Sequence, residues 1–210
     1  MVNIMRQAGN EILNLEQKDL SVITDVLSDS FFDYPVMRYV IDSEKNYIIK
    51  LKTLLNFFVM ARFFRHETIL GIGSRSNIQG VALISNPENT ANPPELKILR
   101  DQVWSELGAA SRSRYEKFGE VSAKFQVNVS HIHLNMIGIK NGAQGRGYGR
   151  KLIEQVHLLS LKDPDSGGIT LTTEDPAKVS FYQYLGYHLL GESDVTQQLR
   201  SWSFFRPDRT

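Results

Sequence analysis

The stretch His131–Leu161 constrains the fold most, because patterns typical of three different structures follow one another within it. The apolar run Ile132–Ile139 predicts a buried strand. Three alternating glycines come next, at Gly145, Gly147 and Gly149. The residues after them have helical spacing, with Leu152, Ile153, Val156 and Leu159 on one face. A helix start exposes N–H groups and a partial positive charge, so the glycine loop predicts a site for a phosphate-bearing ligand.

The composition favours one ordinary globular domain covering residues 1–210. The formal net charge of +1 gives no reason to expect a nucleic acid or an anionic membrane as a partner. Cysteine is absent, which excludes disulfides, thiolate metal ligands and an acyl-cysteine intermediate. The N-terminus lacks the long apolar segment of a secretory signal, and the most apolar run, Leu54–Phe64, is too short to span a bilayer. We therefore expect a cytoplasmic protein.

The remaining pattern predicts a mixed α/β chain. Further strands are predicted at residues 11–15, 68–74, 78–85, 169–173, 187–191 and 197–205. Helices are predicted at residues 17–30, 44–65 and 176–185, with two more in residues 95–125 separated at Gly108. Pro35 should end the first helix region, and Asp42 or Ser43 should cap the second helix.

The apolar phase of the central strand changes near Met136. Ile132, Leu134 and Met136 share one parity, whereas Ile137 and Ile139 have the other. A β-bulge would produce this change. A strand buried on both faces would explain it equally well.

Two other glycine motifs do not fit the loop. A P-loop requires Lys and then Ser or Thr after its second glycine, but Gly147 is followed by Tyr148 and Gly149. A dinucleotide fingerprint that starts at Gly145 would need a small residue where Arg150 stands. A plain nucleotide-binding protein is therefore a weaker interpretation of this loop.

The pattern Gln144-x-x-Gly147-x-Gly149, preceded by the strand residues Ile137-Gly138-Ile139, resembles the GNAT superfamily of acetyl-coenzyme-A-dependent N-acyltransferases. The resemblance implies an α/β (α+β) GNAT fold. In that fold a central mixed, mostly antiparallel twisted sheet of about six to seven strands is flanked by helices and has a splayed central strand. The implied cofactor is acetyl-coenzyme A. The implied cofactor-binding residues are Ile137, Gly138, Ile139, Gln144, Gly145, Arg146, Gly147, Tyr148, Gly149 and Arg150.

A second motif, Tyr182-x-x-Leu185-Gly186-Tyr187, resembles the end of a helix found in the same family. Gly186 suits a helix C-cap, after which Tyr187 opens a strand. The resemblance implies that Tyr182 protonates the departing thiolate. The alternative is a core aromatic residue whose hydroxyl is satisfied within the protein. A backbone N–H of the splayed strand, that of Ile137 or Ile139, would polarise the thioester carbonyl.

The sequence identifies the general base less clearly. His133 is our first candidate because it lies on the strand that leads to the expected cofactor site. Glu120 and Asp33 are the second and third candidates. A histidine in a strand also commonly has a structural role. His131 and His133 alternate along the strand but lack a third ligand, so we expect no metal site.

The resemblance implies an N-acetyltransferase. It would move the acetyl group of acetyl-coenzyme A to a primary amine of an unidentified acceptor, by direct transfer in a ternary complex. The alternative is a non-catalytic acyl-coenzyme-A-binding sensor or partner-binding module. A homodimer is compatible with either interpretation.

Overall fold

A computed structural model describes residues 11–208, in which seven strands form one sheet. The strands are β1 (Glu11–Asn14), β2 (Ile69–Ser74), β3 (Asn77–Ser85), β4 (Ile132–Ile139), β5 (Gly168–Thr173), β6 (His188–Asp194) and β7 (Arg200–Pro207). Their order in the sheet is β1-β2-β3-β4-β5-β7-β6. The β4–β5 pair is parallel and the other neighbouring pairs are antiparallel. This arrangement confirms the predicted mixed, mostly antiparallel sheet.

Seven α-helices connect the strands within residues 11–208. They are α1 (Leu20–Ser30), α2 (Pro35–Ile41), α3 (Tyr47–Phe64), α4 (Pro94–Leu107), α5 (Ala109–Ser122), α6 (Tyr148–Lys162) and α7 (Val179–Tyr184). Short 3₁₀ turns precede α1 and α7. None of the helices in this part of the chain is both long and apolar enough to cross a membrane.

The sheet separates two apolar cores. On one face, helices α1 to α5 pack against residues such as Val81, Leu83 and Met136. On the other face, α6 and α7 pack against Ala82 and Leu134, among others. Alternating residues of one strand therefore serve opposite cores, as the pleat of a strand requires.

Strand β4 contains the predicted bulge, and the bulged residue is Asn135. Leu83 of β3 lies opposite Met136, while the next residue, Ile84, lies opposite Leu134, so Asn135 has no partner of its own. Because of this extra residue, side chains of the same parity before and after Asn135 point to opposite faces of the sheet. Leu134 consequently packs on the α6 side although Met136, two positions later, packs on the α1–α3 side.

The same strand also separates from its neighbour. The pairing of β4 with β5 covers three residues of β4 and ends at Leu134. Beyond the bulge, β4 continues to pair with β3 up to Ile139, so its β5-facing edge is open. The splayed central strand expected from the resemblance is thus present, and the opening starts at the bulge.

The local predictions around α2 and α3 need correction. The first helix ends at Ser30, before Pro35, as predicted, but helix α2 was not predicted. Pro35 is the first residue of α2, where a proline lacks only an N–H that has no helical partner. Helix α3 begins at Tyr47 instead of residue 44. Asp42 and Asn46 adopt left-handed conformations, with φ of 44° and 58°, and neither Asp42 nor Ser43 caps this helix.

The other boundaries agree with prediction to within a few residues, and Gly108 separates α4 from α5 as expected. Residues 1–10, on which the expected absence of a secretory signal partly rests, lie outside the described residues.

Candidate functional site

A cavity of about 1330 Å³ passes through the sheet where β4 and β5 separate. Its walls come from both layers. On the α1–α5 side they include Met37, Phe58 and Phe118, and on the α6–α7 side they include Ile153 and Tyr182. A cavity of this volume has room for more than one small molecule. The two sides could therefore receive two different reactants that meet at the opening in the sheet.

The loop between β4 and α6 forms one mouth of the cavity. Gly142, Gly145 and Gly147 have φ of 79°, 75° and 79°, a conformation that residues with a side chain adopt only at a cost. The backbone N–H groups of residues 144–150 have no hydrogen-bond partner within residues 11–208. Together with the start of α6, they form a concave group of donors suited to the oxygens of a pyrophosphate.

Most of the predicted cofactor-binding residues line this cavity. They are Ile137, Ile139, Gln144, Gly145, Gly147, Tyr148, Gly149 and Arg150. Arg146 is different, because its guanidinium Nη2 donates to the carbonyl of Gly142 at 3.0 Å and the residue is not part of the cavity wall. Its position suits a role in fixing the loop.

Gly138 also lies outside the wall, since it faces α1. A Cβ atom there would lie 3.0 Å from both Cβ and Oγ of Ser30. Gly138 therefore permits close packing of α1 on β4, next to the strand residues that line the cavity.

Two cationic side chains, those of Arg150 and Lys178, line the cavity on the α6–α7 side of the sheet. Arg150 is in the wall and pairs with Glu154, one helical turn later, at 2.8 Å. This pair is exposed and contributes little to stability. Lys178, the last residue of the 3₁₀ turn before α7, is also in the cavity wall. Both charges have the sign that a phosphate-bearing ligand requires.

Tyr182 is a core residue and a wall residue at once. Its ring centroid lies 5.8 Å from that of Tyr187 and 5.9 Å from that of Phe204, and the residue is 7% exposed. Burial, reinforced by the carboxylates of Glu174 and Asp175, raises the pKa of Tyr182 above that of an ordinary tyrosine. Its phenol therefore stays protonated at neutral pH, as a proton donor must.

His133 lies where β4 and β5 still pair. Its Nδ1 is 2.9 Å from Oγ1 of Thr170, and the residue forms part of the cavity wall. Burial, with smaller effects from His131 and Arg62, lowers the pKa of His133 to about 4. The imidazole is therefore neutral at physiological pH, but it is a weak proton acceptor.

The two other base candidates are outside the cavity wall. Glu120 is exposed on α5, and Asp33 is exposed and pairs with Arg38 of α2. Both carboxylates remain in contact with solvent. No group of three metal-ligating side chains converges within residues 11–208.

Sequence reasoning did not identify Glu174 as a residue of the cavity wall. Glu174 directly follows β5, lines the cavity and is 5% exposed. Its Oε1 accepts a hydrogen bond of 2.8 Å from the Ser201 hydroxyl of β7. The backbone N–H of Glu174 donates to the Tyr34 hydroxyl at 3.0 Å. An acidic residue directly after a buried parallel strand was the signal that could have identified it.

A cluster of polar side chains borders the half of the cavity that lies on the α1–α5 side of the sheet, near the bulge. Arg62 Nη1 donates to the Asn135 side chain at 2.9 Å. Arg62 Nε lies 3.1 Å from a carboxylate oxygen of Glu67, although the two groups are not aligned as a hydrogen bond. Arg62, Glu67 and Asn135 all line the cavity, as do aromatic residues of α3 and α5. This half of the site is apolar with a few polar groups, as is usual for sites that bind small molecules.

Comparison with known proteins agrees with this geometry. The sequence profile of the acetyltransferase (GNAT) domain matches residues 102–189, a span that contains the loop and Tyr182. An N-acetyltransferase of Schizosaccharomyces pombe, itself uncharacterized, is 25% identical over 185 residues, which are 82% of this chain and 72% of the yeast protein.

Solved structures share the fold. One is described as histone acetyltransferase HPA2 and related acetyltransferase, from Corynebacterium glutamicum. It matches with a TM-score of 0.69 and 21% identity, covering 95% of this chain and 96% of that one. A putative arylalkylamine N-acetyltransferase of Aedes aegypti matches with a TM-score of 0.65 and 12% identity, covering 94% and 86% respectively.

Proposed function

Because the chain belongs to the GNAT superfamily of acetyltransferases, we propose that it transfers the acetyl group of acetyl-coenzyme A to a primary amine in a ternary complex. The observation that carries this proposal is the row of unpartnered N–H groups at residues 144–150, at the mouth of a cavity that passes through the split sheet. The donors suit a pyrophosphate, and the open edge of β4 suits an amide-containing arm.

The two-sided cavity supports direct transfer. A coenzyme held on the loop side and an amine entering from the α3–α5 side would meet at the bulge. Since the chain has no cysteine, a cysteinyl intermediate is excluded. Acetyl-coenzyme A supplies the activated acyl group, and the residues of this chain bind it, orient it and move protons.

Tyr182 has a defined role in this scheme. Its phenol donates a proton to the thiolate as the carbon–sulfur bond breaks, and it recovers a proton that the amine nitrogen releases. Backbone N–H groups on the open edge of β4, near Ile137 and Ile139, stabilise the oxyanion that develops on the carbonyl. Gln144 holds the loop, since its side-chain amide donates to the Ile139 carbonyl and to the Asn141 side chain.

The proposal is tested by binding and turnover with the full chain. We expect calorimetry to detect acetyl-coenzyme A binding with a micromolar Kd, about −8 kcal/mol, and much weaker binding of ATP. We expect thiol release, followed with a thiol reagent, in the presence of at least one member of an amine panel. The panel should include arylalkylamines, polyamines, amino acids and peptide N-termini.

Three outcomes separate the alternatives. Turnover that depends on an amine supports the enzyme. Binding of the coenzyme without turnover with any amine supports the non-catalytic acyl-coenzyme-A-binding module instead. Equal affinity for ATP and coenzyme A contradicts both interpretations and favours a plain nucleotide-binding protein.

A further inference from the structure

A buried carboxylate lies at the opening between β4 and β5, on the side opposite the bulge. Glu174 is the first residue after β5 and lies in the cavity wall together with Tyr34 and Tyr182. The three residues come from three different elements: the α1–α2 connection, the end of β5, and α7. Reactants that meet at the opening in the sheet would therefore meet beside this carboxylate.

The environment of Glu174 does not neutralise its charge. No Lys, Arg or His within residues 11–208 forms an ion pair with it. The groups that face it are the hydroxyls of Ser201 and Tyr34 and, through space, the phenol of Tyr182. Burial without a cation is costly for a carboxylate unless a ligand supplies the positive charge or the proton.

The acid–base properties agree with this geometry. Burial raises the pKa of Glu174 to about 7, although hydrogen bonds from Ser201 and Tyr34 act in the opposite direction. A group with this pKa exchanges protons readily at neutral pH, whereas His133, with a pKa of about 4, holds a proton weakly. Burial and, to a smaller extent, this carboxylate raise the pKa of Tyr182, so the phenol stays protonated. Two titratable groups in one cavity are thus set for opposite roles.

We propose that Glu174 is the catalytic proton acceptor of the acceptor amine, in place of His133. This inference rests on the proposed acetyl transfer. The Glu174 carboxylate takes one proton from the ammonium group, which frees the nitrogen lone pair to form the carbon–nitrogen bond while the carbon–sulfur bond breaks. The nitrogen's second proton goes to Tyr182, which has given its own proton to the sulfur. Glu174 releases its proton to water, so each turnover liberates one proton and one thiol.

Tyr34 positions this carboxylate. Its hydroxyl accepts from the backbone N–H of Glu174 and lies 3.3 Å from Oγ1 of Thr173. The connection between α1 and α2 is thereby fastened to the end of β5, across the opening in the sheet. Tyr34 is thus a positioning residue, and the proton transfer itself belongs to Glu174.

The first test uses the free protein and needs no turnover. Infrared difference spectra between acidic and alkaline pH should contain a protonated-carboxyl band that disappears with a midpoint near pH 7. The band should be missing in Glu174→Gln, whose amide oxygen can still accept from Ser201 and preserve the fold. A wild-type spectrum without a carboxyl titrating above about pH 6 would overturn the proposal.

The second test is kinetic, with coenzyme and amine saturating where solubility allows. We expect Glu174→Gln to lower kcat by about 10²-fold or more, and to abolish the rise in rate through about pH 7 that the wild type shows as its carboxyl ionises. Glu116→Gln, the same substitution in an exposed ion pair of α5, should leave rate and profile unchanged. His133→Gln should retain the rise near pH 7.

The results distinguish the two proposals. If the wild type turns over and Glu174→Gln keeps its rate and pH profile, the role of Glu174 is wrong while the acetyl transfer stands. The same holds if the rise near pH 7 is lost in His133→Gln and kept in Glu174→Gln. If no amine supports turnover in the wild type, both proposals fail together, whatever the infrared spectrum shows.

Discussion

At the scale of single residues, Tyr182 belongs both to the apolar core and to the cavity wall. Its ring packs between Tyr187 and Phe204, while the residue also forms part of the cavity wall. The two interpretations of Tyr182 from sequence, a core aromatic and an acid, are therefore compatible. Phenylalanine at this position would keep the packing and remove the proton.

We expect Tyr182→Phe to lower kcat about 10²-fold, with little change in melting temperature or in the Kd for coenzyme A. Burial raises the pKa of Tyr182 above its ordinary value, so the wild type should show no loss of rate from this group below about pH 10. Tyr184→Phe is the matched control, since Tyr184 lies on the same helix and is 76% exposed. Equal rates for the wild type and Tyr182→Phe would show that the acid is another group.

At the scale of elements, the loop between β4 and α6 owes its shape to glycines in left-handed conformation. Gly142 and Gly147 have the same φ, and a Cβ atom at either would meet no protein atom within 4 Å. Packing therefore does not require glycine at these positions. The difference between them is location, because Gly147 lines the cavity and Gly142 does not.

This difference gives a matched pair of variants. We expect Gly147→Ala to weaken coenzyme A binding by about tenfold or more, equivalent to at least about 1.4 kcal/mol, because its methyl group would take space at the proposed phosphate site. Gly142→Ala should carry a similar conformational cost of about 1–2 kcal/mol, visible as a lower melting temperature, without that loss of affinity. Calorimetry and thermal denaturation measure both. Equal losses of affinity in the two variants would argue against a phosphate site at Gly147.

At the scale of the whole molecule, the split sheet connects two layers that are otherwise separate. The α1–α5 core and the α6–α7 core both contribute to one cavity, which opens where β4 leaves β5. Phe118 of α5 and Phe181 of α7 lie in the wall on opposite sides of the sheet. If the coenzyme and the acceptor enter from different sides, truncation of each ring should affect a different reactant.

We expect Phe118→Ala to raise the KM for the amine by about tenfold, the effect of losing about 1.4 kcal/mol of apolar contact, and to leave the Kd for coenzyme A unchanged. Phe181→Ala should do the reverse, weakening the coenzyme with a smaller effect on the amine. Steady-state kinetics and calorimetry on the two variants provide the comparison. Parallel changes in both variants would contradict a two-sided site.

The sequence predicted the parts of the site that follow from local chemistry. Alternating glycines before a helix start, and a glycine C-cap after Tyr182, depend on backbone conformations that few residues adopt. Their positions could therefore be read directly from the chain. The change of apolar phase near Met136 was compatible with a bulge, because an inserted residue changes which side of the sheet every later residue faces, but a strand buried on both faces explained it equally well. The pairing of β3 with β4 decided between the two.

Only the tertiary structure decided which side chains meet. Glu174 and Tyr34 are 140 residues apart in the chain, and their contact depends on how the α1–α2 connection crosses the end of β5. Arg146 lies within the predicted loop, yet it turns back onto the Gly142 carbonyl and away from the cavity. Burial, which sets the different pKa values of Glu174 and His133, likewise depends on the packing of several elements. Local sequence determines backbone conformation, whereas these contacts and this burial arise from the packing of distant segments.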